Sequence, residues 1–148
     1  MFRGRAVHTI DAKGRVSIPV GFRMELMRSG ERAPFLTQQP ECLALYPYEA
    51  WREIERELES ASPLAPEVRE LQRYLISGAE ECPVDRQGRI AIPPHLRAPA
   101  GLEKEVTIAG VGPRIEIWDR ARFDQALARA QAKFDELSAA VARGRRSS

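Results

Sequence analysis

The sequence predicts a mixed β fold with short helices, of the α+β class, built from two homologous halves. Three observations carry that expectation. The stretch DAKGRVSIP at 11–19 returns as DRQGRIAIP at 85–93, a spacing of 74. A second pair, LALYPYEAW at 43–51 and IEIWDRARF at 115–123, aligns at a spacing of 72. Amphipathic helical patterns then lie between and after the repeated motifs. The drop of two in spacing puts a length change in a loop between the motifs. The halves are read as 1–77 and 78–148. At that size a lone core is marginal, so each half is expected to need the other.

Taken in order, AVHTI, DAKG and RVSIP read as strand, turn and strand. Val7 and Thr9 alternate before the turn, and Val16 and Ile18 alternate after it. Asp11 can accept hydrogen bonds from the next backbone N–H groups, and Gly14 can close the turn in the left-handed region. Asp85 and Gly88 repeat both devices, so each motif predicts a hairpin. Pro19 and Pro93 end their strands and open helices. The first helix carries Phe22 and Leu26 on one face; the second is expected to be cut to about one turn by Pro99 and Gly101. PFLTQQPECLALY and EVTIAGVGPRIEIW each read as strand, turn, strand. Trp51, Ile54 and Leu58, then Val68, Leu71 and Leu75, fall at helical spacing. Pro63 and Pro66 separate these two helices and Gly78 stops the second. From Asp119 as N-cap, one stripe runs through Phe123, Leu127, Ala130, Phe134, Leu137 and Val141. Gly21, Gly30 and Gly110 read as helix or turn residues.

The chain has 148 residues, 43% of them hydrophobic and 30% charged, as in a soluble globular protein. No apolar run approaches a membrane span, and the start MFRGRAVHT lacks the apolar core of a secretory signal. A cytoplasmic protein is expected. Cys42 and Cys82 stand far apart and His8 and His95 are isolated, so neither a metal site nor a cofactor is expected. Charge is segregated. Arg3, Arg5, Lys13, Arg15 and Arg23 face only Asp11 in residues 1–23, whereas six Glu face two Arg in residues 41–60. Arg143, Arg145 and Arg146 close the chain. Such segregation suggests a basic face for a polyanion, although charge alone favours a surface charged for solubility.

Catalysis finds little support. Asp11 and Asp85 are accounted for by their turns, and neither His stands near a nucleophile such as Ser17. The chain has no phosphate-cradling Gly-rich loop, no H-E-x-x-H and no G-x-S-x-G. The chemistry instead collects at the turns, which carry Lys13, Arg15, Arg86 and Arg89. Arg15 follows Asp11 by four residues, and from spacing alone two roles stand. The guanidinium can pair with the turn carboxylate and stiffen the loop, or it can project to a base edge or phosphate. Arg23 and Arg97 recur four residues after the two motifs, with no role assigned.

Two copies of D-x-x-G-R-h-x-I-P, each followed by a small α/β segment, resemble the SpoVT-AbrB superfamily. The doubling in one chain narrows the resemblance to the MraZ family of transcriptional regulators. MFRG, DAKGRVSIP, CLALYP, DRQGRIAIPP, AGLEKEV and GVGPRIEIWD occur in that family's order, up to about Phe134. The resemblance implies two tandem repeats whose swapped hairpins interleave into a β-barrel. It implies a homo-oligomeric ring on short direct DNA repeats upstream of the division and cell-wall gene cluster, including its own gene, and hence a nucleoid-associated protein. It also implies that the functional motif is D-x-x-x-R, here Asp11 with Arg15 and Asp85 with Arg89. Arg15 is then expected on bases or phosphates, Lys13 on phosphates, and Arg3 and Arg5 on the DNA backbone. Arg86 and Arg89 take the second repeat's share, and Gln87 in place of Lys13 makes the two loops unequal readers. Trp51, Leu58, Leu71 and Tyr74 lie on amphipathic helices, and some of that area is expected to be buried between subunits. The alternative is an antitoxin-like or protein-interaction module, for which an exposed apolar groove would speak.

Overall fold

A computed structural model describes residues 1–28, 30 and 32–147. Among these residues eight strands and six helices follow one another as β1 (Arg5–Thr9), β2 (Arg15–Ser17), α1 (Val20–Met27), β3 (Phe35–Gln38), β4 (Leu43–Tyr46), α2 (Tyr48–Ser60) and α3 (Pro66–Ser77), then β5 (Glu80–Glu81), β6 (Arg89–Ala91), α4 (Pro94–Ala100), β7 (Glu105–Val111), β8 (Arg114–Asp119), α5 (Arg120–Ala132) and α6 (Phe134–Ser147). Six strands form one antiparallel sheet in the order β1-β7-β8-β4-β3-β5, and β2 pairs with β6 in a separate two-stranded ribbon.

The strand register reveals how the two repeats combine. In the ribbon Val16 faces Ile90, its own counterpart at spacing 74. In the sheet Ala44 faces Glu116, its counterpart at spacing 72. The pairing of Val7 with Thr107 is matched by that of Glu81 with Phe35, the same two positions exchanged between repeats. A pseudo-twofold axis therefore passes through the ribbon and the β4–β8 ladder, and most pairing between halves is reciprocal. This is the interleaved fold.

The predicted hairpins close only at their turns. Asp11 N–H donates to the Arg15 carbonyl at 2.9 Å and Asp85 N–H to the Arg89 carbonyl at 2.8 Å, after which the strands part. β1 goes to β7, and β2 goes to β6. A three-residue strand paired within its own half would cover little apolar surface. Crossing the axis instead buries Val16, Ile18, Ile90 and Ile92 in a single core with Leu36, Leu43, Leu45, Val106, Ile108, Ile115 and Ile117. The ribbon closes the open side of the sheet over that core, as in a barrel.

The sheet's outer face is covered by helices. Trp51 of α2 is fully buried and stacks on Phe35, ring centroids 5.9 Å apart. At the equivalent place Phe123 of α5 meets Trp118 edge-on at 5.6 Å. Trp51 and Leu58, expected at subunit contacts, are thus consumed inside the chain, while Leu71 and Tyr74 keep exposed faces. α3 folds back on the sheet, held by Thr37 Oγ1 and Gln38 Nε2 donating to the carbonyls of Leu75 and Tyr74.

Other expectations change in detail. α4 runs to seven residues despite Pro99, because the bond Pro99 lacks falls in the last turn before the left-handed cap at Gly101 (φ 69°). Gly78 ends α3 with right-handed dihedrals (φ −84°), so it is no left-handed stop. Gly110 lies in β7 rather than in a turn: an added Cβ there would come within 2.4 Å of the Arg3 backbone nitrogen. Asp119 does cap α5, accepting from the Arg122 N–H at 3.1 Å. The stripe expected to continue from it is broken at Lys133 (φ −112°, ψ 16°), and Phe134, Leu137 and Val141 of α6 remain exposed. Cys42 and Cys82 are free and buried, and burial pushes both thiols up to about 12. No described helix is long and apolar enough to cross a membrane.

Candidate nucleic-acid interface

Each turn is organised by one carboxylate. Asp11 Oδ1 accepts from the backbone N–H of Lys13 (2.9 Å) and Arg15 (2.8 Å), and Oδ2 accepts from Arg15 Nε at 2.8 Å. Gly14 N–H returns to the Asp11 carbonyl at 2.9 Å, with φ at 81°. The second turn repeats this atom for atom. Asp85 Oδ1 takes the N–H of Gln87 (2.8 Å) and Arg89 (2.9 Å), Oδ2 takes Arg89 Nε at a longer 3.3 Å, and Gly88 has φ of 77°. Backbone hydrogen bonds, that of Arg15 or Arg89 first, hold both carboxylates below the usual value of 3.8.

The two roles weighed for the Arg turn out to be compatible. The ion pair occupies Nε alone. Among the described residues, the terminal guanidinium nitrogens of Arg15 and Arg89 have no hydrogen-bond partner, and these are the pair a bidentate contact uses.

The ribbon decides where those nitrogens face. Val16 and Ile90 point into the core, so the residues flanking them, Arg15, Ser17, Arg89 and Ala91, lie on the opposite face. Arg15 is opposite Ala91 and Arg89 opposite Ser17, which makes the two arginines diagonal neighbours about 7–8 Å apart at Cα. Lys13, Arg86 and Gln87 are exposed at the turn tips, one turn at each end of the ribbon. Arg3 and Arg5 are not brought to this place. Arg5 opens β1 six residues before Asp11, roughly 20 Å along a strand, and Arg3 lies two residues before it, outside the strand. The Arg5 guanidinium lies over the Phe123 ring at 5.7 Å.

Arg23 and Arg97, which the motif spacing had marked without a role, are brought to the turns across the axis. Arg97 packs against Gly14, and Arg23 packs against Gly88. An apolar groove of about 640 Å³ runs beside the second turn, lined by Val20, Met24, Met27, Pro34, Val84 and Arg86 among others. Among the described residues no group of His, Cys, Asp or Glu is placed to hold a metal ion.

Comparison with known proteins agrees with the duplicated architecture. The family model described as "MraZ protein, putative antitoxin-like" matches twice, over residues 1–74 and 75–144. The protein named "Transcriptional regulator MraZ" of Syntrophobacter fumaroxidans is 46% identical over 123 residues, covering 83% of this chain and 82% of its own. Its namesake in Solidesulfovibrio magneticus is 40% identical over 144 residues, covering 96% and 95%. That of Nitrosomonas europaea is 43% identical over 125 residues, covering 84% of each chain. With both halves matched and these relatives aligned over most of their length, the chain belongs to the MraZ family.

Proposed function

We propose that the chain is a sequence-specific DNA-binding transcriptional regulator of the division and cell-wall gene cluster, including its own gene. It acts as a homo-oligomeric ring on short direct repeats, in the cytoplasm and on the nucleoid. One observation carries the reading: a two-stranded ribbon presents Arg15 and Arg89 outward with their terminal nitrogens unoccupied. A ribbon of two strands fits the DNA major groove, and a guanidinium pair matches the acceptors of guanine. The relatives' printed name supports the same reading.

In this scheme Asp11 and Asp85 fix the turns, and Gly14 and Gly88 close them. Arg15 reads bases, Lys13 and Arg86 hold phosphates, and Arg89 contributes a weaker second contact. Arg3 and Arg5, at their distance from the ribbon, reach only a separate stretch of backbone. A ring presents the same ribbon to successive repeats and multiplies weak contacts through effective concentration. For assembly, Leu71 and Tyr74 of α3 and the stripe of α6 offer uncovered apolar surface. The test is a titration of the full chain on duplex DNA from upstream of its own gene, at several salt concentrations, beside a scrambled duplex. A steep salt dependence with preference for the native sequence supports the regulator.

The groove beside α1 favours a second reading, in which a partner protein's apolar segment docks there as in an antitoxin. Binding of promoter DNA with no salt dependence and no preference would turn attention to it.

A further inference from the structure

The two turns are not braced by their own repeats. Arg97 rises from α4 of the second repeat and lays its guanidinium on Gly14 of the first: a Cβ at Gly14 would stand 2.8 Å from Arg97 Cζ and 2.9 Å from its Nε. Arg23 rises from α1 of the first repeat and lies on Gly88 of the second, where a Cβ would stand 2.2 Å from Nη1 and 2.6 Å from Cζ. The backbone crosses in the same sense, with Ile92 N–H donating to the Gly14 carbonyl at 2.8 Å and Ile18 N–H to the Gly88 carbonyl at 2.9 Å.

The chemistry of these arginines is unusual. Nε of each is buried and has no hydrogen-bond partner, and among the described residues neither arginine forms an ion pair. A buried unpaired N–H costs free energy, so its appearance at both symmetry-related places asks for a compensating role. Among the described residues no acid holds either side chain, and each guanidinium packs on a turn that has no Cβ. The glycines are thus required twice, for their left-handed φ and for the room they leave to the other repeat's arginine.

We infer that Arg23 and Arg97 are crossed positioning residues: Arg97 holds the turn that carries Lys13 and Arg15, and Arg23 holds the turn that carries Arg86 and Arg89. Each DNA-facing turn is then a composite of both repeats, and a change in one repeat acts on the recognition element of the other. The consequence for DNA rests on the function proposed above; the crossing itself does not.

Amide hydrogen exchange of the free, full-length protein tests the crossing without DNA. Arg97→Ala should lose protection at residues 12–15 and keep it at 86–89, and Arg23→Ala should do the reverse. Arg97→Lys, which keeps the charge and loses the plane, should exchange like Arg97→Ala at a melting temperature near the parent's. Loss confined to the arginine's own repeat, or no local loss in either Arg97 variant, overturns the inference. On promoter DNA, Arg97→Ala should weaken binding less in an Arg15→Ala background than in the parent, because only the Lys13 contact is left to lose, whereas its effect should add in full to that of Arg89→Ala. If Arg97→Lys restores binding while the turn still exchanges fast, the arginine is a phosphate contact and positioning is wrong. Normal crossed exchange with no DNA preference in the parent would instead sink the DNA reading and leave the crossing intact.

Discussion

The turns at 11–15 and 85–89 have one backbone and two surfaces. Each is built from an Asp that accepts two backbone N–H groups, a glycine at positive φ and an Arg tied back through Nε. Their tips differ: Ala12 and Lys13 in the first become Arg86 and Gln87 in the second, and the Arg–Asp contact lengthens from 2.8 to 3.3 Å. Structure is set by positions the repeats share, whereas surface chemistry is set by positions where they have diverged. The duplicated chain has been free to make two unequal turn surfaces on one symmetric frame, a freedom that a dimer of identical subunits lacks.

The comparison breaks most completely if the halves are separated. In residues 1–77, β1, β2 and β4 lose their partners β7, β6 and β8, and β3 loses β5. That fragment should not form a stable folded monomer, and its size and melting behaviour check this. Next in size, Ile90→Ala removes a fully buried side chain at the axis and should cost about 2–5 kcal/mol in denaturant unfolding. Because the core is shared, both turns should loosen together in that variant, although Ile90 belongs to the second repeat.

A surface exchange sharpens the contrast. Gln87→Lys should strengthen binding to native and scrambled duplexes alike and steepen the salt dependence by about one unit of log–log slope; Lys13→Gln should flatten it by a similar amount. The smallest effect is on pH. Folding lowers the carboxyl pKa of both aspartates, so their contribution to stability is complete above the unfolded value near 3.8 and disappears as pH falls through the lower folded values. Acid unfolding should therefore show a loss below about pH 4 that is reduced in Asp11→Asn and Asp85→Asn.

Much of this frame is legible in the chain because its signals are local. A carboxylate and a glycine at fixed spacing specify a turn, and Trp51, Ile54 and Leu58 specify a helix face. Strand partnership is not local: nothing in VHT or RVS says that β1 joins β7 and β2 joins β6. The expected subunit area narrows from four residues to Leu71 and Tyr74 for the same reason, since periodicity marks an apolar face without saying whether sheet or partner covers it, and Trp51 and Leu58 are covered within the chain. Arg23 and Arg97 were visible as a recurrence at spacing 74, yet their placement on the opposite repeat's glycines depends on the crossed pairing. The break at Lys133 had no sequence mark, neither Pro nor Gly standing there.

We propose above all that Arg15 reads DNA from the ribbon while its Nε serves the turn. Arg15→Ala, measured for binding to the native upstream duplex and for melting in the absence of DNA, tests it directly. The ribbon geometry predicts a loss of about 1–3 kcal/mol per bidentate contact, compounded over the copies in a ring and larger than for Arg89→Ala, with the assembly intact. A variant that binds the native duplex like the parent and melts at a lower temperature would contradict it, leaving Arg15 a structural partner of Asp11 and nothing more.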